Sequence, residues 1–122
     1  MKPKVLVLDE DLFALELYSR ELSLDYEVCT SESVNETLAQ LQQEHFDALV
    51  VEPEVNEGEG WSLLKEARAL DHPPSIVICS VEDDRRGGIE QGAQAFVTKP
   101  VLPTALHHLL NQVLARKALK TV

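Results

Sequence analysis

A chain of 122 residues is long enough to bury one hydrophobic core and too short for two, so residues 1–122 are expected to form a single domain. Its net charge of −10 is unevenly spread: residues 1–99 hold all 21 acids against eight Lys/Arg, and residues 100–122 hold three Lys/Arg and no acid. An acidic body argues against nucleic-acid binding by this domain, and with no apolar run of membrane length and no signal peptide the reading is a cytoplasmic protein that does not contact a membrane.

Taken in order, Lys4 to Leu8 is an apolar run that ends in Asp9-Glu10-Asp11, so the first strand delivers carboxylates at its C-terminus. A helix is predicted from Asp11 to Leu22 with Ala14, Leu17, Tyr18 and Leu22 on one stripe, followed by a strand from Tyr26 to Cys29. Ser33-x-x-Glu36 is a capping-box pattern opening a second helix that buries Val34, Leu38 and Leu41. Ala48 to Val51 then reads as a strand buried on both faces, and it ends in Glu52 before Pro53 and a Gly-rich acidic loop. That loop lacks calcium-ligand spacing and reads as solvated surface.

A third helix is expected from about Gly60, with Leu63, Ala67 and Leu70 inward and Pro73-Pro74 as its stop. Ser75 to Cys79 is a fourth strand, ending in Ser80. The helix predicted over Glu82 to Gln91 is weak, since Gly87-Gly88 cost about 1 kcal/mol each in a helix interior, and it is expected to be the most mobile element. Ala95 to Val97 is a fifth strand, ending in Thr98-Lys99-Pro100, and Leu102, Leu106, Leu109, Leu110, Val113 and Leu114 mark the last helix. His107 and His108 on that helix are expected to be solvated, and His45 and His72 to be loop residues without partners. Cys29 and Cys79 read as small buried hydrophobes.

Strands alternating with helices through short connections specify an α/β fold with a five-stranded parallel sheet, doubly wound. In such a sheet the strand C-termini carry the chemistry. Asp9, Glu10, Glu52, Ser80 and Lys99 are therefore expected to converge, because carboxylates gathered that closely need a cation or an ammonium among them.

On V-L-V-L-D-E-D, D-A-L-V-V-E, V-I-C-S and G-A-Q-A-F-V-T-K-P, the chain from residue 3 to about 118 resembles a response-regulator receiver domain of two-component signalling, the flavodoxin-like CheY fold with strand order 2-1-3-4-5. The resemblance implies that Glu52 stands at the phosphoacceptor position, where the family has aspartate. It implies that Asp9 and Glu10 are the acidic pocket, that Ser80 and Lys99 are the phosphate-site hydroxyl and lysine, and that Phe96 is the switch aromatic. The proline after the lysine is often cis in this family. It also implies a histidine kinase or other signalling protein upstream, and an output partner or domain, or a homodimer, on residues 83–114. Mg²⁺ is the family's cofactor, for which Glu10, Glu52 and Glu54, the last through its carbonyl, are the candidate ligands beside Asp9. In that strand order Cys29 and Cys79 lie about 14 Å apart, too far for a disulfide.

Three residues depart from the family pattern. Glu52 moves the carboxylate outward by about 1.3 Å, and misplacement near 1 Å costs about 10²-fold in a reaction that needs in-line positioning. Val81 is expected to narrow the phosphoryl entrance, and Asn56 replaces a usual proline. The longer arm of Glu52 would reach Lys99. The reading is thus an atypical, phosphorylation-independent pseudo-receiver that is not an enzyme. A conventional phosphoacceptor receiver is the alternative. A haloacid-dehalogenase-like phosphatase, with Asp9 as nucleophile and Asp11 as acid, is a remote one, since it needs an acidic motif after the lysine and no acid follows Glu90.

Overall fold

The computed structural model describes residues 1–120; Thr121 and Val122, the last two positions of the expected domain, lie outside the described residues. Five strands, β1 (Lys4–Leu8), β2 (Glu27–Ser31), β3 (Ala48–Val51), β4 (Ser75–Ser80) and β5 (Ala95–Thr98), form one parallel sheet in the order β2-β1-β3-β4-β5. The helices are α1 (Leu12–Leu22), α2 (Val34–Gln43), α3 (Gly60–Arg68), α4 (Arg85–Glu90) and α5 (Pro103–Lys120). The expected fold class is the one observed, and Cys29 on β2 and Cys79 on β4 are free thiols with β1 and β3 between them.

Because side chains alternate across a strand, the central strands feed two cores. Leu6, Leu8, Leu49, Val51, Ile76, Ile78 and Phe96 meet α2 and α3, while Val5, Val7, Ala48, Val50, Val77 and Cys79 meet α1 and α5. Burial of each such Leu, Ile or Phe contributes about 1.5–3 kcal/mol, so the sheet is held from both sides. The inner strands are buried almost throughout. The edge strand β2 is exposed or half-buried up to its last residue and runs Glu27–Ser31, two residues beyond the expected end, with Ser31 buried against the Thr37 hydroxyl.

Several local expectations need correction. Asp11 caps α1 rather than joining it, accepting from Phe13 N and Ala14 N, and Leu15 rather than Leu17 is buried with Tyr18 and Leu22. A one-turn helical segment, Val55–Gly58, precedes α3 and holds Asn56 and Glu57 at φ 50 and 58. The helix over 82–91 is only Arg85–Glu90, Ile89 is exposed, and Leu102 lies outside α5 in solvent. Gly88 has a packing role: a Cβ there would fall 2.7 Å from Phe96 Cδ2 and 2.8 Å from Ile78 Cδ1, so its absence lets α4 lie against the sheet. No described helix is long and apolar enough to cross a membrane.

Candidate functional site

Strand register assembles the site. Leu8 pairs with Val51, so Asp9 and Glu52, each one residue further on, leave the sheet side by side. Ser80 pairs with Thr98, which brings Lys99 past the end of β5 toward both acids, and the Lys99–Pro100 peptide is cis. Lys99 Nζ donates to Asp9 Oδ2 at 2.5 Å and to Glu52 Oε1 at 3.3 Å. Both acids are buried, and the Lys99 side chain is only 16% exposed.

Glu52 is fully engaged by backbone donors as well. Its Oε1 accepts from Val81 N at 3.0 Å and its Oε2 from Glu54 N at 3.2 Å, while Asp9 Oδ1 accepts from Asp11 N at 3.0 Å. Burial pulls the Lys99 ammonium down, but the Asp9 hydrogen bond and the charges of Asp9 and Glu52 outweigh it and hold the group above the ordinary lysine range. Directly beneath, burial pushes the Cys79 thiol up to about 11, which keeps it protonated and inert.

The remaining expected residues are nearby but differently engaged. Ser80 is fully buried and its hydroxyl accepts from Glu82 N at 3.1 Å rather than turning to Glu52. Phe96 is buried under the Arg85 guanidinium, 5.6 Å from its ring centroid, and Arg85 Nη1 also donates to the Phe96 carbonyl. Val81 does not wall the pocket, since its side chain is 60% exposed and only its N–H reaches Glu52. Glu10 is exposed and its carboxylate accepts from Asn56 N. Asn56 Oδ1 in turn accepts from Val34 N at 3.0 Å. A proline at 56 could neither donate that N–H nor adopt φ 50, so the Asn56 departure creates the Glu10 contact. The Glu54 carboxylate accepts from Trp61 Nε1 at 3.1 Å.

The donors expected for Mg²⁺ therefore do not fit a metal centre here. Lys99 lies between Asp9 and Glu52, Glu10 is turned onto Asn56, and among the described residues no three acids, histidines or cysteines gather where a cation would sit. What the arrangement does is offset part of the charge and fix the rest: one ammonium and three backbone N–H groups hold two carboxylates, and among the described residues no buried side-chain polar atom lacks a partner.

Residues 5–111 match the family described as the response regulator receiver domain. The chain belongs to this family. It is 30% identical over 118 residues to the probable transcriptional regulator ycf27 of Cyanophora paradoxa, covering 94% of this chain and 49% of that protein. It is 30% identical over 119 residues to the transcriptional regulatory protein PrrA of Mycobacterium tuberculosis, covering 94% and 51%. The chain thus spans about half the length of the curated relatives it matches. Among solved structures it resembles the chemotaxis response regulator CheY4 of Vibrio cholerae, with a TM-score of 0.85 and 24% identity over 93% of this chain and 99% of that one. It also resembles a putative response regulator from Chloroflexus aurantiacus J-10-fl, with a TM-score of 0.83 and 27% identity over 94% and 99%. This receiver is accordingly a two-component signalling module, of a family that generally signals rather than catalyses.

The expectation of solvated or unpartnered histidines fails at His107, His45 and His72. His107 is buried on α5, with Nδ1 2.6 Å from Glu21 Oε2 and Nε2 2.6 Å from Asp25 Oδ2. Only an imidazolium, with two N–H donors, satisfies both carboxylates. His45 pairs with Asp47 at 3.4 Å and contacts the His72 ring edge-on.

Proposed function

We propose that this receiver, residues 1–122, signals without being phosphorylated, Glu52 occupying the position where the family carries its acceptor aspartate. The observation that carries this reading is the Glu52 carboxylate itself, buried and accepting from Lys99, Val81 N and Glu54 N. An acceptor oxygen must approach phosphorus in line, with a cation offsetting the oxygens of the transferred group. Here both carboxylate oxygens are already hydrogen-bonded, and the local cation, Lys99, is held by Asp9 and Glu52.

The same contacts give the longer side chain a positive role. A phosphoryl group at this strand end would need the Lys99 ammonium and the neighbouring N–H groups, and Glu52 engages them permanently with a single charge where an acyl phosphate carries nearly two. Asp9, Glu10, Ser80 and Lys99 then serve as the frame of a fixed pocket, and Phe96, buried beneath Gly88, as its link to α4. The upstream partner is a histidine kinase or another signalling protein in the cytoplasm, and an output partner or domain reads residues 83–114.

Incubation with acetyl phosphate and Mg²⁺ followed by intact mass measurement tests this. The expected spectrum shows no added phosphoryl group; stoichiometric addition at Glu52 overturns the proposal in favour of a conventional phosphoacceptor.

A further inference from the structure

The opposite end of the sheet carries the opposite charge. A groove of about 490 Å³ opens between the segments leading into β4 and β5 and the last turns of α3 and α5, and Arg68, Arg116, Lys117 and Lys120 all line it. No Asp or Glu lines it, while the exposed Pro73 gives it an apolar portion and the buried Ile76 and Val113 lie behind it. Four of the chain's eleven Lys and Arg thus meet at one place in a protein of net charge −10. Among the described residues none of the four forms an ion pair with a carboxylate.

Helix ends attract cations, and that is the first account to weigh. Each helix C-terminus carries about −0.5 charge. The ends of α3 and α5 therefore offset about one of the four positive charges and leave about three in excess. Two of the cations are also anchored. Arg68 Nη1 donates to the Gln91 carbonyl at 2.9 Å and Lys117 Nζ to the Pro73 carbonyl at 3.4 Å. Gly92, at φ 95, passes so close under the Arg68 side chain that a Cβ would fall 2.5 Å from its Nε. The backbone is shaped around this guanidinium.

We propose that this groove binds a nucleotide-sized organic phosphate. Its volume lies in the range of small-ligand sites, about 300–1,000 Å³. The forked guanidinium donors of Arg68 and Arg116 suit phosphate oxygens, and the exposed Pro73 offers apolar surface to a ring. An extended acidic peptide would instead align along a strand edge or a long groove, which this short cleft between two helix ends does not provide.

The test is titration of the full chain with ATP in the absence of metal, followed by amide chemical shifts. Shifts are expected at Ile76, Gly92, Gln94 and Val113, with affinity falling at least tenfold in Arg68→Glu and in Arg116→Glu and unchanged in Arg86→Glu, which lies outside the groove. Arg116 is exposed, so that variant keeps the test decisive if Arg68→Glu fails to fold. Inorganic pyrophosphate is expected to bind the same amides more weakly than ATP. Absence of those shifts, equal affinity in the groove variants, pyrophosphate as tight as ATP, or polyglutamate tighter than ATP would each overturn the assignment. None of these outcomes touches the reading of the Glu52 pocket.

Discussion

Lys99 and His107 are each held by two carboxylates in this receiver, and these two clamps differ in depth. Lys99 lies between Asp9 and Glu52 at the sheet edge, all three side chains no more than 16% exposed. His107 lies between Glu21 and Asp25 on the α1–α5 side, and there the carboxylates reach 23% and 56% exposure. The stoichiometry is the same, but the surroundings decide what each clamp contributes. In the pocket, removing the cation strands two buried charges; at the helix pair, water replaces much of what is lost.

The comparison breaks most visibly at Lys99. Lys99→Met keeps most of the side-chain volume and removes only the charge. Leaving Asp9 and Glu52 buried without it is expected to cost about 3–5 kcal/mol at neutral pH, read from urea unfolding. The loss should shrink on acidification as the stranded carboxylates become protonated. A cost below about 1 kcal/mol would mean that the pocket is as wet as a surface pair. Lys99 holds its proton above the usual lysine range, so its stabilisation is present below that range and is lost only as pH rises through the raised value.

The two clamps also differ in how legible they were. A parallel strand buried on both faces must read as an apolar run, so Lys4–Leu8, Ala48–Val51 and Ser75–Cys79 stood out, and whatever polar residue follows such a run must lie on the same edge of the sheet. The strand pattern alone therefore brings Asp9, Glu52 and Lys99 together. It could not show that Glu10 and Ser80 turn to Asn56 N and Glu82 N, because those contacts depend on loop conformation, including a left-handed Asn56. The His107 clamp is invisible for another reason: its partners are 82 and 86 residues away, one on α1 and one in the turn after it. Periodicity describes one helix face and is silent about what faces it. The available signal was the Glu21/Asp25 pair spaced i, i+4 at the end of α1, beside a Tyr26 that donates to Asn111 of α5.

His107 sharpens the comparison through pH. The Glu21 hydrogen bond leads the causes that hold its imidazolium above the ordinary histidine range, with the Asp25 hydrogen bond and both charges adding to it against the opposing effect of burial. The folded value is raised, so the clamp's stabilisation is complete below about pH 6.5, where the unfolded chain also binds the proton. It declines as pH climbs through the folded value. His107→Gln is expected to cost about 1 kcal/mol at pH 6 and progressively less toward pH 9, measured as the difference between parent and variant unfolding curves. A difference that stays flat over that range would show that the ring acts by packing against Tyr26, which it meets edge-on at 5.8 Å.

The smallest effect is expected where one carboxylate meets a cation in full solvent. Arg86 Nε lies 3.0 Å from Glu90 Oε1 on α4, with side chains 91% and 64% exposed. Arg86→Gln should change stability by no more than about 0.5 kcal/mol, and even that gain opposes the helix dipole, which disfavours a cation in the first turn. The distance is the informative part. At 3.0 Å this pair is closer than Lys99 to Glu52 at 3.3 Å, so a ranking by distance would put it ahead of that buried contact. A ranking by burial puts it last. Unfolding in 1 M NaCl, where screening acts within about 3 Å, should erase what remains of the Arg86 effect and leave the Lys99 effect nearly intact. If salt reduced both in proportion, depth would not be what separates them, and the Glu52 pocket would lose its claim to be a dry, permanently engaged site.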